Sequence, residues 1–108
     1  MNPEYKVFWT SSAEKDLLEI GKYIAKDNVE IALKKMALVE EKVKRLSYFA
    51  NEGRFIPELL EYENNKYREI LVYPWRVIYN LEEKNVIIIM VIDGRRNLQD
   101  ILYKKLMK

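Results

Sequence analysis

The seven residues from Val86 to Ile92, VIIIMVI, are all apolar, and an aspartate, a glycine and two arginines follow them directly. The run is far too short to cross a membrane, which takes about 20 apolar residues. An unbroken apolar run of this length is typical of a β-strand that is buried on both faces. We therefore predict a strand in the middle of a sheet, covered by helix on at least one side, with positive charge at its end.

The residues around this run predict the rest of a small sheet. From residue 67 onward the hydrophobic pattern has a period of two, which is typical of β-strands. Tyr67–Tyr73 and Trp75–Leu81 are predicted to be two strands separated by Pro74, because proline lacks a backbone donor. The segment Tyr5–Trp9 is predicted to be a further short strand near the N-terminus.

The first half of the chain has a helical period instead. Ser11 and Glu14 form a predicted capping box for a first helix. Asn28 is the predicted N-cap of a second helix, and Gly53 is predicted to follow its end in the left-handed conformation. The apolar stripes are Ala13, Leu17, Ile20 and Ile24 on the first helix, and Ala32, Met36, Val39, Val43, Leu46 and Ala50 on the second.

The order of these elements predicts the fold class. Two helices with a short connection form an antiparallel hairpin, and Asn97 is the predicted N-cap of a last helix. We predict an α+β fold with an N-terminal strand, an antiparallel helical hairpin packed on a small, mainly antiparallel sheet, and a C-terminal helix. The length suits a single domain over residues 1–108.

Composition excludes several kinds of chemistry. The chain has no cysteine and no histidine, so it lacks a thiol nucleophile, the usual metal ligands and the usual general base. We therefore expect no metal and no cofactor. The N-terminus does not have the pattern of a signal peptide, and we expect a cytoplasmic protein without a membrane partner. Residues 66–108 carry 9 Lys and Arg against 5 Asp and Glu, so the basic excess lies in the second half.

Four arginines of this basic half are candidates for binding an anion. Arg95 and Arg96 stand where the buried strand ends and a helix begins, a place that suits phosphate or carboxylate. Arg68 and Arg76 each interrupt an apolar strand. If these two strands pair, both side chains would approach the face that receives Arg95 or Arg96. The alternative is that these arginines face solvent or pair with neighbouring aspartates.

Several short segments follow one another along the chain in a characteristic order. They are Val7-Phe8-Trp9-Thr10, Ala13, Asp16-Leu17, Ile20, Tyr23-Ile24, Gly53-Arg54, Pro57-Glu58-Leu59, Tyr67-Arg68-Glu69, Trp75-Arg76-Val77-Ile78-Tyr79 and Gly94-Arg95-Arg96-Asn97. In this order and spacing, the segments resemble the ParE/RelE toxin family of bacterial type II toxin–antitoxin (plasmid stabilisation) systems, and the resemblance extends over nearly the whole chain. It implies a fold like the one predicted above, and a cognate antitoxin whose largely disordered segment wraps the toxin.

The resemblance also implies a target. ParE-like members inhibit DNA gyrase, whereas RelE-like members cleave messenger RNA on the ribosome and need both cations and a proton carrier. This chain has Ile101 at the position of the RelE-like tyrosine, and Asp93 where the family usually has histidine. The long hairpin and the Gly-Arg-Arg-Asn ending are more ParE-like, so we expect a gyrase inhibitor that is not itself an enzyme. Its expected anion-binding and target-binding residues are Arg68, Arg76, Arg95 and Arg96.

Two alternatives stay open. A RelE-like endoribonuclease would use the same four arginines, with Tyr67, Tyr79 or Tyr103 as the proton carrier, and its partners would be the ribosome and messenger RNA. A non-toxic relative would bind only the antitoxin. A dimer or a higher toxin–antitoxin assembly is also left open.

Overall fold

The computed structural model describes residues 4–62 and 65–107. The helices are α1 (Ser11–Ala25), α2 (Val29–Lys44) and α3 (Leu98–Leu102). The strands are β1 (Lys6–Trp9), β2 (Arg54–Phe55), β3 (Tyr67–Val72), β4 (Trp75–Glu82) and β5 (Asn85–Asp93). Short 3-10 turns follow α2 at Arg45–Ser47 and β2 at Pro57–Leu59, and a π-helical turn, Tyr103–Met107, follows α3. The predicted α+β architecture is confirmed.

The five strands form one sheet in the order β1-β5-β4-β3-β2. Neighbouring strands are antiparallel except for β1 and β5, which are parallel. Strand β5 therefore lies inside the sheet, as its apolar run predicts. The short strand β2 was not predicted, and it pairs with β3 at the opposite edge from β1. Within residues 4–62 and 65–107, no helix has the length and apolarity needed to cross a membrane.

Both faces of the sheet are covered, which explains why the run Val86–Ile92 within β5 is apolar. One face packs against the hairpin of α1 and α2, where Val86, Ile88 and Val91 are buried. The other face is covered by α3 and the Pro57–Leu59 turn, where Met90 is buried with Leu59 and Leu102. The strand register skips one residue of β5 between its pairs with Tyr79 and Ile78, as in a β-bulge.

The start of α1 differs from the prediction by one residue. Its N-cap is Thr10, whose hydroxyl oxygen accepts a hydrogen bond from the backbone N–H of Ala13 at 3.1 Å. The same hydroxyl donates to the carbonyl of Ile88 at 2.8 Å. Thr10 therefore caps the helix and ties it to β5, a long-range contact that the local pattern did not contain, and the predicted N-cap Ser11 is wrong. The predicted N-cap of α2 is confirmed, because Asn28 accepts from the N–H of Ile31 at 2.9 Å.

Gly53 does not have the left-handed conformation that was predicted, and it lies well beyond the end of α2. Its lack of a side chain serves close packing instead, since a Cβ there would overlap with the hydroxyl of Tyr79. That hydroxyl accepts from the N–H of Gly53 at 2.9 Å and donates to the carbonyl of Ala50 at 2.8 Å. A fully buried tyrosine on β4 therefore holds the segment after α2 against the sheet.

We expect Tyr79→Phe to lower the free energy of unfolding by about 1–3 kcal/mol, because it leaves the buried backbone groups of Ala50 and Gly53 without their partner. Urea denaturation at neutral pH measures the change. The matched control is Tyr23→Phe, since the Tyr23 side chain is 74% exposed, and its effect should stay below about 0.5 kcal/mol. Equal effects of the two substitutions would contradict the role assigned to the Tyr79 hydroxyl.

Candidate functional site

Arg76 is buried in the middle of the fold. It lies on β4, and its side chain is 10% exposed. It shares a sheet face with Ile78, which packs under α3, whereas Val77 faces the helical hairpin. The predicted alternation along β4 is therefore confirmed, and the arginine belongs to the face that the short C-terminal helix covers.

Every nitrogen of this guanidinium donates to a carboxylate. Arg76 Nε donates to Glu69 Oε1, while Nη1 and Nη2 donate to the two oxygens of Glu58, each at 2.7 Å. Glu69 is itself fully buried, and its Oε2 accepts from Arg54 Nε at 2.8 Å. We call Arg54, Glu69, Arg76 and Glu58 the ion-pair chain. It contains two positive and two negative charges, so it has no net charge.

The ion-pair chain explains how a charge is tolerated at this depth. A buried guanidinium is stable only when carboxylates satisfy its donors, and a two-pronged arginine–carboxylate pair does this well. The hydrogen bonds from Arg76 hold the pKa of Glu58 below its usual value. The bond to Glu58 and the pairing with Glu69 raise the pKa of Arg76. Both groups therefore stay ionised at neutral pH.

A cleft of about 340 Å³ lies beside Arg76. It brings Arg76 together with Arg95, as predicted, and adds Arg54, which the prediction missed. Gly94 makes the close approach possible, because a Cβ there would lie 3.1 Å from the carbonyl oxygen of Pro74 and 3.2 Å from Arg76 Cδ. The full lining is Arg54, Leu71, Tyr73, Pro74, Trp75, Arg76, Gly94 and Arg95.

The turn after β5 is organised by Asp93. Its Oδ1 accepts from the backbone N–H and the Nε of Arg95, both at 2.9 Å, and its Oδ2 accepts from Arg95 Nη2 at 2.6 Å. These bonds lower the pKa of Asp93 to about 2. Asp93 therefore fixes the exposed Arg95. Arg96 is also exposed, and it forms no ion pair among the residues that the structure describes.

Arg68 does not join the other arginines. The register pairs Leu71 with Arg76 and Arg68 with Tyr79. Residues paired across strands share a face, so Arg68 lies on the side of the hairpin and Arg76 on the other. Arg68 instead donates to the carbonyl of Gly53 at 2.8 Å and lies over the ring of Phe55. The expectation that both strand arginines approach one face is wrong, because the sequence did not reveal the register.

The three candidate proton carriers lie in different places. Tyr79 is fully buried on the hairpin side of the sheet, and burial raises its pKa. Tyr67 is half-buried on β3. Tyr103 is exposed, and its ring packs against that of Tyr62 with 5.7 Å between the ring centres. A raised pKa and two buried hydrogen bonds make Tyr79 unsuited to moving a proton.

The carboxylates of the ion-pair chain were missed as partners of Arg76, although a signal for one of them was present. An arginine inside an apolar strand needs a counter-ion. The neighbouring strand β3 contains Glu69, and the observed pairing of Leu71 with Arg76 places that glutamate diagonally beside Arg76 on the same face. No local pattern predicts Glu58 as a partner of Arg76, because Glu58 lies in the separate Pro57–Leu59 turn.

Comparison with known proteins agrees with this architecture. A sequence model described as the ParE toxin of type II toxin–antitoxin system, parDE, matches residues 7–98. The chain is 32% identical over 101 residues to Toxin ParE3 of Caulobacter vibrioides, which covers 93% of this chain and 97% of that protein.

Two solved structures have a similar fold. A chain of the chromosomal ParDE system from P. aeruginosa superposes with a TM-score of 0.67 at 26% identity, covering 83% of this chain and 96% of that one. A chain of the toxin–antitoxin complex RelBE2 from Mycobacterium tuberculosis superposes with a TM-score of 0.61 at 21% identity, covering 85% and 99%. At 21% identity, the match to the RelBE2 chain shows similarity of fold alone.

We expect Glu58→Gln to lower the free energy of unfolding at pH 7 by about 1–2 kcal/mol, because it removes a charged partner of buried Arg76. The pKa of Glu58 is lower in the folded state, so its stabilisation is present above the unfolded-state pKa and is lost as the pH falls through the folded-state pKa. The difference from wild type should therefore shrink between pH 7 and pH 3 in urea denaturation.

The control for this experiment is Glu61→Gln, on an exposed part of the turn region, which should change stability by less than about 0.5 kcal/mol at both pH values. A Glu58→Gln difference that is the same at pH 7 and pH 3 would contradict an ionised Glu58–Arg76 pair.

Proposed function

Because the chain belongs to the ParE toxin family of type II toxin–antitoxin systems, we propose that it acts in the cytoplasm as a toxin that inhibits DNA gyrase, and that a cognate antitoxin neutralises it. The family resemblance inferred from the sequence is confirmed by these matches. The target, the neutralisation and the cellular location are the parts that we propose. On this proposal the chain acts by binding and catalyses no reaction itself.

The observation that carries the proposal is that every guanidinium nitrogen of Arg76 already donates to a carboxylate. An endoribonuclease of this fold would use a strand arginine to stabilise the charge of the cleaved phosphate. Here that arginine is buried and gives all three of its nitrogens to Glu58 and Glu69. A phosphate would have to displace a two-pronged carboxylate from a buried cation. This favours a binding toxin over an RNA-cleaving one.

The positions of the candidate proton carriers support the same choice. The chain has no histidine. Tyr79 faces away from Arg76 and its pKa is raised. RNA cleavage by the neighbouring 2′-hydroxyl needs a group that takes the proton close to a free cation. The described residues beside Arg76 supply carboxylates that are already engaged with arginine.

The exposed arginines of the last turn are the best candidates for target contact. Arg95 is held in place by Asp93, and both Arg95 and Arg96 line a second cleft, between α1 and β5. Arginines that are fixed at their base and exposed at their tip are suited to binding carboxylate or phosphate groups of a partner. We propose that this turn contacts gyrase, and that the antitoxin covers it when it neutralises the toxin.

We expect the purified chain to inhibit DNA supercoiling by gyrase and to leave ribosome-bound messenger RNA uncut. Arg96→Ala should weaken inhibition about tenfold, which corresponds to about 1.4 kcal/mol. The matched control is Lys34→Ala, which removes an exposed cation from α2 and should change inhibition less than about twofold. Supercoiling assays over a range of toxin concentration measure both variants.

Different results would identify the alternatives. Cleavage of messenger RNA that Arg76→Ala abolishes, without gyrase inhibition, would contradict the proposal and identify a RelE-like nuclease. Expression of the chain alone without any growth defect would identify a relative that only binds its antitoxin.

A further inference from the structure

The side of α2 that points away from the core is exposed along its whole length. The inner side is buried through Ala32, Val39 and Val43, and helix geometry places the residues between them on the opposite side. We call that side the outer face of α2. It is defined by six exposed residues, Glu30, Leu33, Lys34, Ala37, Glu41 and Lys44.

An apolar row runs along the outer face. Val29 and Leu33 are 62% and 63% exposed, and Ala37 continues the row one turn further on. Beside the row, Leu18 of α1 and Met36 of α2 line a cleft of about 600 Å³ between the two helices. A contiguous exposed apolar surface that is bordered by charged residues is typical of an interaction site.

The charges of the outer face are arranged symmetrically about Ala37. Glu30 lies seven residues before Ala37 and Lys44 lies seven residues after it, so an acid on one side has a base on the other. Lys34 and Glu41 lie about one turn before and one turn after Ala37, again with opposite charges. Within the described parts of the chain, none of these four residues forms an ion pair.

This order of charges is complementary to itself when the helix is reversed. If two copies of α2 pack antiparallel with Ala37 at the two-fold axis, Glu30 lies opposite Lys44 of the second copy. Lys34 then lies beside Glu41 of the second copy. The small side chain of Ala37 lets the two helices approach closely, and Leu33 packs on either side of the axis. A parallel arrangement would instead place each charge against its own copy, which is repulsive.

We propose that the outer face of α2 is the interface of a two-fold symmetric dimer of this chain, in which the two copies of α2 are antiparallel. The face offers little to a strongly charged partner, since α2 carries three glutamates and four lysines. A second copy matches both its charge order and its apolar row. Because no residue of α2 lines the two clefts next to Arg95, each copy in the dimer keeps the Arg95–Arg96 turn exposed.

Charge reversal at the middle pair tests the interface and its orientation. Lys34→Glu places two acids against each other twice in the dimer, and Glu41→Lys does the same with two bases. Each should raise the dimer dissociation constant about tenfold at about 0.1 M salt. The double variant restores the pairs with reversed signs, so its dissociation constant should return to within about threefold of wild type. Sedimentation equilibrium of the full chain measures all four proteins.

The matched control is Lys35→Glu. It makes the same change in net charge at an exposed position of the same helix, about a quarter of a turn away from Lys34. Its dissociation constant should differ from that of wild type by less than about twofold. A general effect of net charge would appear equally in the control, and a local structural defect would not be repaired by a second charge reversal.

A cross-link at the axis gives the second readout. The chain has no cysteine, so in Ala37→Cys a disulfide can form only between two copies. Mild oxidation should convert this variant to a covalent dimer, because the two substituted positions lie together at the axis. Lys35→Cys carries its thiol away from the axis, and it should cross-link at least about tenfold more slowly.

Three results would overturn the proposal. The first is a wild-type chain that stays monomeric up to a concentration of about 1 mM, since even a small interface of this kind binds within that range. The second is a dimer that Lys34→Glu weakens no more than Lys35→Glu does, or that the double variant does not restore. The third is a monomeric chain whose binding to a purified antitoxin is weakened by Lys34→Glu, which identifies the antitoxin as the occupant. Inhibition of gyrase is measured separately, so none of these results bears on the proposed function.

Discussion

The pairing of Arg76 with Glu58 and Glu69 is the interaction on which the rest of the structure depends. It joins β4 to β3 through Glu69 and to the turn after β2 through Glu58. A buried charge is stable only while its partners are in place, so this pairing fixes the relative positions of the three segments. Strand β2 consists of two residues, so backbone pairing alone is too short to hold this edge of the sheet in place.

The pairing of Arg76 distinguishes this buried arginine from the exposed arginines near it. The charge of Arg76 is neutralised inside the fold by the ion-pair chain, whereas Arg95 and Arg96 are exposed on a turn that Asp93 organises. On the proposed function, these exposed arginines are the ones that contact another macromolecule. The same turn also lines part of the cleft between α1 and β5.

Much of the fold was predictable because it is determined by local pattern. The period-two strands, the two helical stripes and the doubly apolar β5 each identify an element and the faces that it buries. The errors arise where a residue serves a distant partner: Thr10 caps α1 because it also bonds to Ile88, and Gly53 is a glycine because Tyr79 lies against it. The candidate site was predictable in part. Arg76 and Arg95 do line one cleft, but the register that sends Arg68 to the opposite face is a property of strand pairing, which the sequence alone does not reveal.

The most direct test of this account is the NMR signal of the Arg76 Nε–H group, followed while inorganic phosphate is added to the free protein. We predict a signal that exchanges slowly with water and does not move at phosphate concentrations that shift the signals of Arg95 and Arg96. A shift of the Arg76 signal at lower phosphate than theirs would show that this guanidinium is available to an anion, and it would contradict the structural role assigned to it here.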